Sequence, residues 1–232
     1  GLYAVDRDGS RHKVLNPSHK ANREFGGRVF KAVELFDPLT DEGGDILVEV
    51  RKGGGGFREE RAFYGNIVRL NTLTAKEKRV VFNRGDILQF IADRDNVVRI
   101  GMVQHDLTRS IIHRRNPESD WEKIYSADFR TAMEPLGFGT NPDILYVAAL
   151  NGDKRALFQY DLKARKLGRM IFAHPTYDVP AGPPIVSDKT GKVLGVRYEA
   201  ERPQVYWFDK DYKNYQAMID NALPGMANDI KN

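Results

Sequence analysis

Four residues of types found in serine-hydrolase active sites lie close together in the sequence: His105, Asp106, Arg109 and Ser110. In nucleophilic acyl transfer, a histidine takes the proton of a serine hydroxyl while a carboxylate orients the histidine. A triad requires a defined three-dimensional geometry, however, and polar residues in one predicted hairpin are more simply explained as a solvated turn. No serine of the chain lies at the centre of a G-x-S-x-G nucleophile elbow. We therefore predict no catalytic residue in this chain.

Metal and cofactor sites are not indicated either. The chain has no cysteine, and its five histidines show neither H-x-x-x-H nor H-E-x-x-H spacing. The glycine run at 53–56 lacks the lysine spacing of a phosphate-binding loop and does not open a helix, so we interpret it as a flexible turn. We predict no metal ion and no cofactor.

The basic residues do not form a patch suited to nucleic acid. The net charge of +4 arises from 36 basic and 32 acidic residues that are interspersed. Two short basic runs, "HRR" at 113–115 and "KARK" at 163–166, fall at predicted hairpins, where lysine and arginine protect exposed sheet edges. We expect both runs to be solvated and predict no nucleic-acid partner.

The N-terminus shows no signal peptide, and no apolar run reaches the length of a membrane helix. We therefore expect a soluble protein without a membrane partner. The choice between the cytoplasm and the periplasm stays open.

A repeat dominates the chain. Four segments consist of a turn rich in Gly, Asp and Asn followed by an apolar strand, and these strands begin at Ile46, Val97, Ile144 and Val193. Their spacings are 51, 47 and 49 residues. A short apolar stretch precedes each of these strands and a second strand follows it, usually with a hairpin into a third. Each repeat therefore contains about four strands, which we call a to d.

Four strands per repeat without an intervening helix are typical of a β-propeller blade. A β-sandwich also has closely spaced strands, but it does not require a four-strand period. We predict an all-β, partial β-propeller of about four to five blades in a single incomplete domain, residues 1–232. The predicted parts are a half blade at 1–16, blades at 28–82, 86–127 and 129–174, and a partial blade with a short helix at 178–225.

The repeat begins and ends within a unit. Residues 1–16 resemble strands c and d alone, and the last unit lacks strand d before a helix in which Tyr212, Tyr215, Ile219 and Leu223 recur at helical spacing. We expect the chain to be a piece of a longer protein. We also expect self-association through the exposed faces of the terminal blades.

Residues 129–225 carry a more specific pattern. They contain the hairpin text "YDLKARKLG" at 160–168, His174-Pro175, "LGVRYEAERP" at 194–203 and Phe208-Asp209, in this order. This order and spacing resemble the N-terminal propeller of bacterial prolyl oligopeptidase family serine peptidases, of the acylaminoacyl-peptidase and dipeptidyl-aminopeptidase type. Over residues 1–128 the resemblance depends mainly on the period.

The resemblance implies a non-catalytic propeller that controls the access of short peptides to a C-terminal α/β-hydrolase domain, which these 232 residues do not contain. Glu199, Glu201 and Arg202 are the candidates for substrate contact, because they cluster at a b–c turn on one face of the ring. A salt bridge at the rim is the simpler interpretation of these three residues and is favoured over substrate contact. The alternative for the whole chain is a free-standing propeller-like module that binds proteins without chemistry.

Overall fold

The computed structural model describes residues 2–16, 19–21, 28–39, 44–53, 64–187, 189–226 and 228–230. Strands account for 51% of the chain and form four antiparallel blades in a propeller arrangement, with one short C-terminal helix. The predicted all-β propeller fold is thereby confirmed. The chain divides into two compact units, Gly1–Leu88 and Gln89–Asn232; its assignment to a single incomplete domain stays a prediction.

The first unit contains a two-stranded sheet and a five-stranded blade. The two-stranded sheet pairs β1 (Leu2–Ala4) with β2 (Lys13–Asn16). The blade has the order β3 (His19–Ala21), β4 (Arg28–Asp37), β5 (Asp45–Gly53), β6 (Asn66–Asn71) and β7 (Glu77–Val81). Its core consists of buried side chains from β5, β6 and β2: Leu15, Val48, Val50, Val68 and Leu70.

Strand β3 was not predicted from the sequence, which indicated only a long connection over residues 17–30. Strand β4 is ten residues long, and its first three residues offer backbone groups on the side away from β5. His19 to Ala21 pair with Arg28 to Phe30, which covers an edge that would otherwise present unpaired backbone groups. Gly54 to Gly56 of the predicted flexible turn lie outside the described residues.

The second unit contains two complete blades and a three-stranded one. The first has the order β8 (Ile87–Ala92), β9 (Val98–His105), β10 (Thr108–His113) and β11 (Glu122–Asp128). The next has β12 (Glu134–Phe138), β13 (Ile144–Asn151), β14 (Lys154–Asp161) and β15 (Lys166–Phe172). The last has β16 (Ile185–Val186), β17 (Val193–Glu199) and β18 (Pro203–Trp207), followed by α1 (Lys210–Ala222).

Strand β13 is apolar on both faces because a blade packs against each of them. Leu145 and Val147 belong to the cluster shared with the β8–β11 blade, whereas Tyr146 and Ala148 pack in the cluster that contains Val196 of β17. Alternate residues of a strand point to opposite faces, so a strand between two blades must be apolar at successive positions. The sequence run from Ile144 to Leu150 meets this requirement.

The predicted C-terminal helix is also confirmed. Asp209 is its N-cap, and its carboxylate accepts hydrogen bonds from the backbone N–H groups of Asp211 and Tyr212, which satisfies two donors of the first turn. The Tyr212 ring packs against Trp207 with a centroid distance of 5.1 Å. In the part of the chain that the structure describes, no helix is long and apolar enough to cross a membrane.

Candidate functional site

The triad-type residues lie in the β9–β10 hairpin. The Ser110 hydroxyl lies 3.0 Å from the hydroxyl of Ser126 on β11. The Arg109 guanidinium donates to the side-chain oxygen of Gln104 at 3.1 Å, and His105 is exposed at the end of β9. These contacts are those of a polar hairpin, and the absence of a catalytic role for this group stays a prediction.

The three candidates for substrate contact lie at the β17–β18 turn, where the sequence placed them. Arg202 donates to the backbone oxygen of Gly225 at 3.4 Å and lines a cleft of about 440 Å³ beside α1. Glu199 and Glu201 are exposed and do not line this cleft. The structure therefore brings Arg202 to a cavity without the two glutamates, and a substrate role for all three stays a prediction.

A larger cleft of about 950 Å³ lies at one edge of the two complete blades. Its walls are the β10–β11 connection of the first complete blade and the β12–β13 and β14–β15 turns of the second. Besides His113, its lining includes five basic and four acidic side chains. The basic ones are Arg99, Arg114, Arg115, Lys163 and Arg165, and the acidic ones are Glu118, Asp120, Glu122 and Asp143. We call it the arginine cleft.

Arg99, on β9, forms the floor of the arginine cleft. It is 7% exposed, and its guanidinium donates to the backbone oxygens of Arg114 at 3.3 Å and Pro142 at 3.0 Å. The Asp93 carboxylate lies 3.4 Å away, and the ring of Phe138 lies below the guanidinium at 5.2 Å. Arg99 thus joins the two blades and has its charge balanced within the protein.

Arg114 is buried, at 6% exposure, so the expectation that the whole "HRR" run is a solvated rim is wrong for this residue. Its Nε donates to the backbone oxygen of Val98 at 2.8 Å, and its Nη1 to that of Pro117 at 3.0 Å. The Trp121 ring lies 4.8 Å from the guanidinium carbon. Burial lowers the pKa of Arg114, and the nearby Glu118 carboxylate partly offsets this effect.

His113 is half-buried beside Arg99. Burial and then the Arg99 charge lower the pKa of His113 to about 4, against a smaller opposing effect of Glu122. An imidazole with this pKa is neutral at physiological pH. The charge of the cleft at neutral pH therefore comes from its arginine, lysine and carboxylate side chains.

Ion pairs cross the mouth of the arginine cleft. Lys163 lies 2.5 Å from Asp143, and Arg165 pairs with Glu122 of the neighbouring blade. Lys163 and Arg165 belong to the "KARK" run and are exposed, as expected. Exposed ion pairs of this kind contribute little to stability, but each of these two cations already has a carboxylate partner within the cleft.

His174, the histidine of the "HP" pair, follows the end of β15. Its Nδ1 accepts hydrogen bonds from the backbone N–H groups of Thr176 and Tyr177 at 3.1 and 3.2 Å. The ring stacks on Tyr198 of β17 with a centroid distance of 5.0 Å. These contacts give His174 a structural role in the connection between two blades.

The chemistry that the arginine cleft offers is binding. Guanidinium groups and carboxylates line one cavity, and among the described residues no group of three or more His, Asp or Glu side chains is arranged to hold a metal ion. Sequence reasoning missed this cleft. One signal was available, because Arg99 interrupts the otherwise apolar strand "VVRIGMV", and a charge inside a buried strand is unusual.

No family model matches this chain, and no curated protein matches it. Fifteen chains of solved structures do match. An oligogalacturonate lyase in complex with manganese aligns with a TM-score of 0.44 and 11% identity over 84% of this chain and 69% of its own, a likeness too weak to support an inference.

TolB from Acinetobacter baumannii, a β-propeller protein, aligns with a TM-score of 0.53 and 11% identity. The alignment covers 90% of this chain and 46% of TolB, so the chain spans about half the length of that protein. At this identity the likeness concerns the fold alone. The strand order and the match with TolB together establish that this chain is a β-propeller module.

Proposed function

We propose that this chain is the non-catalytic propeller module of a prolyl oligopeptidase-type serine peptidase, and that it controls the access of peptides to a hydrolase domain outside these 232 residues. The observation that carries the proposal is the resemblance over residues 129–225. The second unit is consistent with it, because each quoted segment occupies the predicted place in a blade. Tyr160 to Gly168 form the β14–β15 hairpin, and Leu194 to Pro203 extend from β17 into β18.

The contacts of these segments explain why such a pattern would recur among related propellers. The Tyr160 hydroxyl donates to the backbone oxygen of Ile124 in the adjacent blade at 3.0 Å. His174 orders the exit from β15, and Asp209 caps α1. All three residues join or terminate structural elements, so the pattern supports a shared propeller, whereas the peptidase activity is proposed from the resemblance.

Control of access follows from the rigidity of such a fold. A propeller wall consists of hydrogen-bonded sheets that pack on both faces, as β13 does here. Folded proteins are too wide to pass beside or through such a wall, whereas an extended peptide is narrow. We therefore expect the enzyme that contains this module to prefer short peptides over folded proteins.

The test uses the longer protein that contains this module, with the chain 1–232 measured in parallel. A fluorophosphonate probe that reacts with activated serines should label the longer protein, and replacement of the serine in its G-x-S-x-G motif by alanine should abolish both labelling and peptide turnover. The isolated chain should not be labelled. Labelling of the isolated chain, or a longer protein without any such motif, would overturn the proposal.

A second function, a protein-binding module without chemistry, is favoured by one observation. Of the ten exposed large hydrophobic side chains in the described part of the second unit, six lie within residues 206–226: Tyr206, Phe208, Tyr215, Met218, Leu223 and Met226. Concentrated exposed apolar side chains often mark an interaction site. Self-association, expected from the sequence, is the simplest form of this function, and light scattering over a range of concentrations measures it.

Tyr206→Ser and Met218→Ser remove apolar surface at two of these positions, and Leu107→Ser removes a similarly exposed side chain from the β9–β10 turn as the matched control. If the C-terminal surface binds a second copy, the first two variants should shift the protein toward monomer and the control should not. A protein that is monomeric at every concentration would exclude self-association.

A further inference from the structure

One polar group in the arginine cleft is left without a partner. The Nη2 of Arg114 is buried and donates to no hydrogen-bond acceptor within the described residues, although Nε and Nη1 of the same guanidinium are paired. A buried charged donor without a partner is unfavourable, because the water that solvated it has been lost without replacement. Since Nε and Nη1 are held by two carbonyl oxygens, the unpaired Nη2 atom has a fixed position just behind the wall of the cleft that Arg114 lines.

A second arginine lines the same cleft without an ion pair. Arg115 is exposed, and the ion pairs formed within the described part of the chain do not include it. The other cations of the cleft are engaged, because Lys163 pairs with Asp143 and Arg165 with Glu122. Arg114 and Arg115 therefore supply the donors that remain for an anion.

The acidic side chains limit how much negative charge a ligand can carry. Glu118 and Asp120 are exposed on the wall next to the two arginines, and each would repel a multiply charged phosphate. A ligand with one carboxylate and a polar body that carries some positive charge is complementary to both the basic and the acidic side chains of the cleft. The volume of about 950 Å³ lies at the upper end of the range for small-ligand sites, about 300–1,000 Å³.

We propose that the arginine cleft binds the free C-terminal carboxylate of a short peptide, with Arg114 and Arg115 as its donors. A guanidinium offers parallel N–H groups that match the two oxygens of a carboxylate. The Nη2 atom of Arg114 is closed off from solvent, and the Trp121 ring packs on the same guanidinium at 4.8 Å, so binding of the carboxylate requires the side chains around Nη2 to rearrange. That the ligand is a peptide rests on the proposed function; that it presents one carboxylate rests on the cleft alone.

The experiment measures binding to the intact chain 1–232 by calorimetry, with matched probes. Acetyl-Lys-Ala-Phe with a free carboxylate, whose lysine supplies the positive charge of the body, is compared with the same tripeptide as its C-terminal amide, and inorganic phosphate is titrated separately. We expect the acid to bind at least about tenfold more tightly than the amide, since one charge-assisted bidentate contact is lost in the amide. Phosphate should bind more weakly than the acid.

The indole of Trp121 provides a second readout. The chain has two tryptophans, and the other, Trp207, is buried with its Nε1 donating to Gln216. In the Trp207→Phe variant the tryptophan emission comes from Trp121. This emission should change when the peptide acid is added and should not change when the peptide amide is added.

Variants separate the site from general charge. Arg115→Gln should raise the dissociation constant of the acid about tenfold and leave that of the amide unchanged, and because Arg115 is exposed, the fold should be retained. Arg169→Gln removes an exposed arginine on β15 outside the cleft and should change neither constant. Arg114→Gln should abolish the preference for the acid, and if that variant does not fold, Arg115→Gln decides.

Equal binding of acid and amide, no binding of either, or an unchanged acid affinity in Arg115→Gln would each overturn the carboxylate site. Phosphate that binds more tightly than the acid would replace it with a phosphate site. None of these results bears on the serine probe experiment, which uses the longer protein and a covalent label. Failure of the cleft and failure of the proposed function are therefore distinguishable.

Discussion

The Nη2 atom of Arg99 lies 3.1 Å from the Nε2 atom of His113. Arginine can only donate hydrogen bonds, so Nε2 must be the acceptor and the imidazole proton resides on Nδ1. Protonation of Nε2 would break this hydrogen bond and place a second positive charge beside Arg99. The geometry therefore accounts for a neutral His113 in the arginine cleft.

We predict that His113 makes the second unit less stable in acid. The folded protein keeps His113 neutral down to about pH 4, whereas the unfolded chain takes up this proton near its ordinary pKa of 6.5. Between these values the unfolded state binds more protons, so stability decreases as the pH falls from 6.5 to 4 and this penalty is complete below pH 4. Besides Arg99, the charges that act on His113 are Glu122, Arg115 and Arg165.

Histidine titration by NMR and thermal unfolding between pH 4 and 7 measure this effect. His113→Gln retains an acceptor for Arg99 but does not titrate, so its melting temperature should depend less on pH. His105→Gln, at an exposed histidine, should keep the wild-type dependence. A titration of His113 near pH 6.5 would contradict the prediction.

Tyr160→Phe should destabilise the protein by about 1–2 kcal/mol, because the backbone oxygen of Ile124 would remain buried without its donor. The Tyr160 side chain is 2% exposed and connects β14 to β11 of the adjacent blade. Its burial also raises the pKa of the phenol. Tyr125→Phe removes a hydroxyl that accepts from the Met133 N–H at a half-buried position, and serves as the comparison.

Chemical denaturation measures both tyrosine variants. If Tyr160→Phe lowers the free energy of unfolding no more than Tyr125→Phe does, the contact between the blades contributes less to stability than we infer.

Two glycines of the second unit should differ sharply when replaced by alanine. A Cβ at Gly195 would lie 2.8 Å from the Trp207 ring and 2.9 Å from the backbone oxygen of Tyr206, whereas a Cβ at Gly137 meets nothing within 4 Å. We predict that Gly195→Ala costs about 1–3 kcal/mol and that Gly137→Ala changes the free energy of unfolding by less than about 0.5 kcal/mol. Denaturant midpoints compare the two variants, and equal midpoints would be evidence against the packing of β17 on β18.

The repeat could be located from sequence because it depends on local patterning. The predicted strand starts Ile144 and Val193 coincide with those of β13 and β17, and Ile46 and Val97 differ from β5 and β9 by one residue. Turn residues and the pattern of apolar and polar residues determine these positions, and both signals extend over only a few neighbouring residues.

The arginine cleft could not be located in this way. Arg99 is buried because the backbone oxygen of Pro142, 43 residues later, accepts its Nη1, and Arg114 because Val98 and Pro117 supply carbonyls around it. Such acceptors become neighbours only after the blades have packed. The sequence pattern of "HRR" is the same for a solvated run as for one with a buried centre.

The central claim, a propeller that admits short peptides to a serine hydrolase domain, is tested most directly by comparing kcat/KM for one scissile sequence in two contexts. In one, the sequence is a short peptide; in the other, it is held within a folded protein that exposes it in a loop. We predict that the longer protein cleaves the peptide at least about a hundredfold more efficiently, that the serine probe abolishes this cleavage, and that chain 1–232 alone cleaves neither substrate. Equal cleavage of both substrates by the longer protein, or probe-sensitive cleavage by chain 1–232, would contradict the account.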